Sequence, residues 1–137
     1  MFAWLPLFAL RSVALAGESD AESCLKTKVW DGYAEGWGVR TMTSATIPDG
    51  KTKNYLVTLY EGNEYRIRTC ADEKVRNLDV LLYDAKGSLV MRDSTQDREP
   101  ELAIKPSATG TYYIVLYAQA TATPGTQGGA AMAGVYR

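Results

Sequence analysis

The chain has 137 residues, of which 46% are hydrophobic and 23% charged, and its formal net charge is −1. This length and balance are typical of one globular domain with its own hydrophobic core. The near-neutral charge gives no electrostatic support for binding nucleic acid or anionic lipid, and the absence of histidine removes the commonest general base and metal ligand.

The first stretch, "MFAWLPLFALRSVALAG", is the longest apolar run, and we interpret residues 1–16 as a signal peptide. Pro6 and Arg11 interrupt it, and it is too short to span a bilayer. The last three residues of this signal peptide, Ala14, Leu15 and Ala16, have the small-x-small pattern of a cleavage site. A buried N-terminal helix is the alternative, but the polar segment that follows at once favours the signal peptide. No positive charge precedes the apolar part, which a start codon assigned too late would explain.

Residues 17–40 are predicted to form an N-terminal helical segment. Ser19 and Glu22 have the spacing of a capping box that would start the helix, and Gly36 and Gly38 are expected to end it. An apolar side chain recurs at every fourth position, as on one face of a helix. We interpret this row as the face that packs on the core, with an aromatic ligand groove as the alternative. The row contains Ala21, Leu25, Val29, Tyr33 and Trp37, with Trp30 and Ala34 beside it.

From residue 41 to residue 137 the apolar period changes to two residues, which indicates β-strands. The turn sequences "PDG", "EGN", "DAKG" and "SATG" separate the runs. Seven or eight short strands with regular turns predict a mostly-β domain of the sandwich type. The expected strands are 41–47, 54–60, 64–70, 77–84, 88–93, 101–105, 111–117 and 130–137.

The seventh expected strand, "TYYIVLY", is nearly all aromatic and β-branched. Alternate residues from Tyr112 to Leu116 should fill the core side, which leaves Tyr113, Val115 and Tyr117 on the outer side. Large apolar side chains in a row on an exposed face are costly, so something should cover them. The N-terminal helix is the available cover.

Three segments together resemble the bacterial pre-peptidase C-terminal domain. They are "YLVTLYEGNEYRIRT", "LDVLLYDAKGSLVMRD" and "PELAIKPSATGTYYIVLY", which lie within residues 53–118 and follow the family's order. The resemblance implies a jelly-roll-like antiparallel β-sandwich and a non-catalytic accessory or binding module in an exported protein. The predicted N-terminal helix lies outside the segment that resembles this family, and no peptidase domain precedes that segment in this sequence.

Cys24 and Cys70 are the only cysteines, and an even pair in an exported protein indicates one disulfide. In its strand Cys70 shares the side of Arg66 and Arg68, away from the core, so the bridge would tie the helix to an outer sheet face. A lipoprotein anchor at Cys24 would need a small apolar run before it, whereas acidic residues precede it. Two reduced thiols, as in a cytosolic protein, are the other alternative.

We predict no catalytic residue and no cofactor. A nucleophilic triad lacks its histidine, and no serine stands in a G-x-S-x-G elbow. Asp72, Asp93 and Asp97 are the calcium candidates, because oxygen ligands on sandwich loops suit calcium and some members of the similar family bind it. Their spacing matches no dedicated calcium loop.

The sequence therefore predicts a periplasmic or secreted, non-catalytic binding or accessory module of the bacterial cell envelope or secretome. Its partner would be a protein or a cell-envelope polymer, and we expect neither nucleic-acid binding nor a membrane span. Two alternatives stay open. One is a structural or assembly component of the envelope without a small ligand, and the other is a minimal hydrolase that uses paired carboxylates.

Overall fold

The computed structural model describes residues 16–137, which form two four-stranded sheets packed face to face and one helix outside them. The prediction of a mostly-β sandwich with an N-terminal helix is confirmed. The predicted signal peptide lies outside the described residues except for Ala16, where the helix begins. The elements are α1 (Ala16–Ala34), β1 (Gly38–Pro48), β2 (Thr52–Leu59), β3 (Tyr65–Ala71), β4 (Val75–Asp84), β5 (Leu89–Asp93), β6 (Glu101–Ile104), β7 (Gly110–Thr121) and β8 (Gln127–Tyr136).

The strands are arranged in the order β1-β8-β3-β6 in the first sheet and β2-β7-β4-β5 in the second sheet, and every pairing is antiparallel. The chain crosses between the sheets at most connections. The hairpin between β4 and β5 stays within one sheet, and its turn is closed by Gly87 with a φ of +82°. Asp84 supports this turn by accepting hydrogen bonds from the backbone N–H groups of Lys86 and Ser88.

The core lies between the two sheets and follows the period of two. On β7, Ile114 and Leu116 are fully buried and Tyr112 is half-buried, which confirms the predicted inner side of that strand. From the first sheet, Ile67 and Met132 enter the same apolar cluster. The alternation along each strand therefore determines which residues of the sandwich are inside.

The helix packs on the first sheet, against β8, β3 and β1, and not on the outer side of β7. The prediction that it covers β7 is therefore wrong. The physical reason is the size of the side chains on β8, where Gly129, Ala131 and Ala133 are buried on the outward side. A Cβ atom on Gly129 would overlap the backbone of Gly17 and Glu18, so only a glycine lets the helix approach this closely.

The apolar row of the helix is correct over its first half and wrong over its second. Ala21 and Leu25 are buried, but Tyr33 is 63% exposed. Four residues advance a helix by about 400°, so each step of four drifts by about 40° around the axis. After three steps Tyr33 has left the buried face, and Gly32 takes its place against Trp37.

The start of the helix also differs from the prediction. Ser19 lies inside α1, so the capping box formed with Glu22 is wrong. Glu18 instead ties the first turn to β1, because its carboxylate accepts hydrogen bonds from Ser44 and Thr46 at 3.2 and 3.0 Å. No helix within residues 16–137 is long and apolar enough to cross a membrane.

The disulfide between Cys24 and Cys70 is present and confirms the predicted pairing. Cys70 is fully buried on the outward side of β3, in one apolar cluster with Leu25 and Trp37. The bridge therefore joins the middle of α1 to the first sheet, at the face that the helix covers.

The contact between α1 and β8 yields a test of packing. Gly129→Val should lower the free energy of unfolding by about 1–3 kcal/mol, because the new side chain forces the helix away from the sheet. Gly110→Ala is the matched control, since the nearest atom to its added Cβ lies 4.0 Å away. Urea denaturation of both variants measures the difference, and equal stabilities would contradict the close helix–sheet contact.

The disulfide yields a second test. Replacing both cysteines, Cys24→Ser with Cys70→Ser, should cost about 4 kcal/mol on the loop-entropy model for a sequence separation of 46. Hydrogen exchange should show the amides of α1 losing protection before those of the sheets. Ser23→Ala, at an exposed neighbouring position, is the control. Equal loss of protection in the helix and both sheets would argue against a local tie.

Candidate binding surface

The outward side of the second sheet carries large apolar side chains that α1, seated on the first sheet, leaves uncovered. Because Val57, Ile114 and Val80 point into the core, their neighbours along β2, β7 and β4 point outward. We call this surface the open face. Its members are Leu56, Asp79, Leu81, Tyr83, Tyr113, Val115 and Tyr117.

The strand register arranges the open face in rows across the sheet. Leu56 of β2 lies opposite Tyr113 of β7, which in turn lies opposite Tyr83 of β4. Leu56 is 65% exposed and Tyr113 is 40% exposed. In the next row, Val115 pairs with Leu81. Side chains directly opposite on one face are in contact distance, so these rows form one continuous apolar and aromatic surface.

The third row ends in a buried carboxylate. Asp79 of β4 lies opposite Tyr117 of β7 and is only 7% exposed. Its Oδ1 atom is buried and, within the described part of the chain, has no hydrogen-bond partner. Burial raises the pKa of Asp79 above its ordinary value of 3.8, the negative charge of Asp93 raises it further, and Arg92 opposes both.

A second exposed aromatic group lies on α1. Trp30 is 74% exposed and stacks on Tyr33, with ring centroids 6.2 Å apart and planes 15° from parallel. Both rings face away from the first sheet. The sequence left open whether the aromatic side chains of the helix belong to the core or to a ligand groove. Trp30 and Tyr33 lie at the surface and not in the core.

Trp37, the third aromatic of that row, is 3% exposed and belongs to the core under the helix. The guanidinium groups of Arg137, Arg66 and Arg68 lie 4.5, 5.1 and 5.6 Å from its ring centroid. The Nε atoms of Arg66 and Arg68 are buried and, in the part of the chain that is described, have no hydrogen-bond partner. Cation–π attraction to Trp37 and ion pairs with Glu64 and Glu101 hold these guanidinium groups, so this cluster is structural.

The three calcium candidates do not meet within residues 16–137. Asp72 accepts hydrogen bonds from the backbone N–H groups of Gly129 and Lys74, at the helix-bearing sheet. Asp93 and Asp97 both stabilise the connection between β5 and β6. Asp93 accepts hydrogen bonds from the N–H groups of Thr95 and Glu101, and Asp97 accepts them from the N–H groups of residues 98 and 99. The calcium site stays a prediction, with these carboxylates engaged by the backbone.

One further cluster has metal-ligand residue types, namely Cys24, Cys70 and Glu99. Its two sulfurs are bonded to each other, which leaves Glu99 as its single carboxylate donor. Glu99 itself pairs with Lys28 at 2.8 Å. This cluster is therefore part of the attachment of the helix.

Asp79 and Leu56 belong to the open face but were not singled out from the sequence. The signal was available, because "NLDVLLYD" and "NYLVTLY" alternate and place both residues on the side opposite the core. Their importance depended on which outer face the helix covers, and the alternation carries no information about that.

No protein-family model and no curated protein matches the chain. Solved structures do share its fold. A periplasmic lysozyme inhibitor of g-type lysozyme from Aeromonas hydrophila is similar with a TM-score of 0.56 and 14% identity, over 71% of this chain and 85% of that one. The pre-peptidase C-terminal domain of a collagenase from Bacillus anthracis is similar with a TM-score of 0.55 and 14% identity, over 71% and 90%. The resemblance to the pre-peptidase C-terminal domain is confirmed for the fold.

The raised pKa of Asp79 yields a test with a defined sign. An Asp whose pKa is raised by folding destabilises the protein when ionised, and this cost disappears once the pH falls below the unfolded value of 3.8. Asp79→Asn should therefore raise the free energy of unfolding at neutral pH by on the order of 1 kcal/mol, and the gain should vanish in acid.

Asp93→Asn is the matched control, because its effect should have the opposite sign. Burial alone would raise the pKa of Asp93, but hydrogen bonds from Glu101 and Thr95 lower it. Its replacement should therefore destabilise the protein at neutral pH, and the loss should shrink as the pH falls. Urea denaturation across the pH range measures both, and a parallel response of the two variants would refute this electrostatic account.

Proposed function

We propose that this chain is an exported, non-catalytic module that binds a protein partner through the open face. The observation that carries the proposal is that the two outer sheet faces differ: one is covered by α1, and the other leaves Leu56 and Tyr113 in contact with solvent. A continuous apolar surface of this kind is costly in water and is typical of an interaction site.

The composition of the open face fits a protein better than a cell-envelope polymer. The centre of its middle row is aliphatic, with Val115 beside Leu81, and the hydrogen-bonding side chains of that row, Asn54 and Arg92, lie at its two ends. The surrounding tyrosines are the residues that protein interfaces enrich, and charged groups are sparse, as in the centre of such interfaces.

Export and a non-catalytic role have separate support. The Cys24–Cys70 disulfide fits an oxidising compartment, such as the periplasm or the extracellular space. The chain has no histidine. A hydrolase would need a free pair of carboxylates. Asp79 and Asp93 are close enough for their charges to interact, but Asp93 already accepts hydrogen bonds from Thr95 and Glu101.

The similar inhibitor from Aeromonas hydrophila names a first partner to test, a g-type lysozyme. We expect the purified mature chain to bind g-type lysozyme and to slow its lysis of bacterial cell walls. Leu56→Ser and Tyr113→Ser should weaken binding by about tenfold or more each, because they remove the large exposed apolar contacts of the surface.

Trp30→Ser and Tyr33→Ser are the matched controls, since both residues are exposed aromatics on α1, away from the open face. They should leave the dissociation constant unchanged within about twofold. Absence of binding would reject g-type lysozyme as the partner. Loss of binding only in the α1 variants would reject the open face as the binding surface.

Self-association through the open face is the outcome that would favour the alternative of a structural or assembly component. A flat apolar face can pair with a second copy, as in isologous dimers. Sedimentation equilibrium of the wild-type chain and of Leu56→Asp distinguishes the binding module from the structural alternative. A monomeric wild-type chain supports the module, and a dimer that Leu56→Asp dissociates supports the structural alternative.

A further inference from the structure

Two aspartates of this molecule are buried to the same degree and have opposite surroundings. Asp72 is 5% exposed, and its carboxylate accepts hydrogen bonds from the backbone N–H groups of Gly129 and Lys74. Asp79 is 7% exposed, and its Oδ1 atom has no partner among residues 16–137. Because Asp72 has two backbone donors, its role is structural. Burying a carboxylate without a donor is costly, so the burial of Asp79 needs another explanation.

The elements around Asp79 do not neutralise it. On β7, Tyr117 lies opposite, and on β4 itself the amide of Asn77 donates to Gln119 instead. From β5, Asp93 repels its negative charge, and Arg92 attracts it but forms no ion pair within 4.0 Å. The ion pairs among the described residues involve Lys28, Arg66, Arg68 and Arg137, all with glutamates.

We infer that the open face recognises a cationic side chain of its protein partner, which pairs with the carboxylate of Asp79 beside Tyr117. The inference rests on the proposed function, because the same surface supplies the apolar contact. Charge complementarity identifies the occupant: a segment that presents arginine among apolar residues. Such a segment would place its apolar side chains over Val115 and Leu81 and bring a guanidinium to the carboxylate of Asp79.

The position of Asp79 at one end of an apolar surface gives this pair specificity. The neighbouring side chains exclude water from a bound guanidinium, and the Tyr117 ring offers a face on which it can stack. A partner with a neutral residue at that position would leave the carboxylate buried and unpaired, so it would bind more weakly. Asp79 thus acts as a selective group, while Leu56 and Tyr113 contribute contact area without regard to charge.

The test uses the whole mature chain and two blocked peptides as probes, N-acetyl-Leu-Arg-Tyr-amide and the same peptide with citrulline in place of arginine. Citrulline has nearly the shape of arginine and no charge. Amide and side-chain NMR shifts should change at the open face, and the arginine peptide should bind about threefold or more tightly than the citrulline peptide. In Asp79→Asn, this preference should fall to about one.

Leu56→Ser separates the inference from the proposed function. It should weaken both peptides by the same factor and keep the preference for arginine, since it removes only apolar contact. Glu73→Gln, at an exposed position on another part of the chain, is the charge control and should change neither affinity. Asp79→Asn should also keep or raise the midpoint of urea unfolding, which shows that any loss of preference is not a loss of folding.

Three results would overturn the inference. Equal affinities of the two peptides for the wild-type chain would show that the surface does not recognise charge, while binding at the open face would still support the proposed function. A preference that survives in Asp79→Asn would assign it to another residue. Shifts confined to Trp30 and Tyr33, with none on β7, would place the contact on α1 and would count against the open face as well.

Discussion

The close contact between α1 and β8 is the constraint on which the rest of the molecule depends. Gly129 brings the sheet within backbone distance of Gly17, and the Cys24–Cys70 bridge holds the middle of the helix to β3. Lys28 adds a polar tie, because its Nζ donates to the carbonyl oxygen of Thr69 at 3.0 Å. These contacts fix the helix on the first sheet along most of its length, and they determine which outer face of the sandwich remains free.

The two outer faces are suited to different neighbours by the size of their side chains. The outward side of β8 is made of small residues that a helix can approach, as at Ala131 and Ala133. The outward side of β7 carries the large side chains of Tyr113 and Tyr117, which would keep a helix at a greater distance from the sheet and which offer aromatic surface instead. One face therefore stabilises the fold, and the other is available for a partner.

The polar groups divide in the same way. On the helix-bearing side, Asp72 and the arginines around Trp37 all have internal contacts, either backbone donors or an aromatic ring. On the open side, Asp79 is buried without such a contact. The arginines around Trp37 face glutamates of opposite charge, whereas the carboxylate of Asp79 has no ion pair among the described residues. Such an unpaired buried charge has a local cost in stability, and such costs are concentrated at functional sites.

The sequence by itself determined the strands, the inner sides of the sandwich and the disulfide. Period-two alternation is a local property, so Ile114 and Leu116 were assigned to the core correctly, and two cysteines allow a single pairing. Only the tertiary structure decided that the helix covers β8, that Tyr33 turns outward and that Asp79 is buried without a donor. Alternation says which residues share a side of a strand, but it does not say which sheet the strand joins or what covers it. Those outcomes depend on contacts between residues far apart in the chain, such as Gly17 with Gly129, and on how closely their backbones can approach.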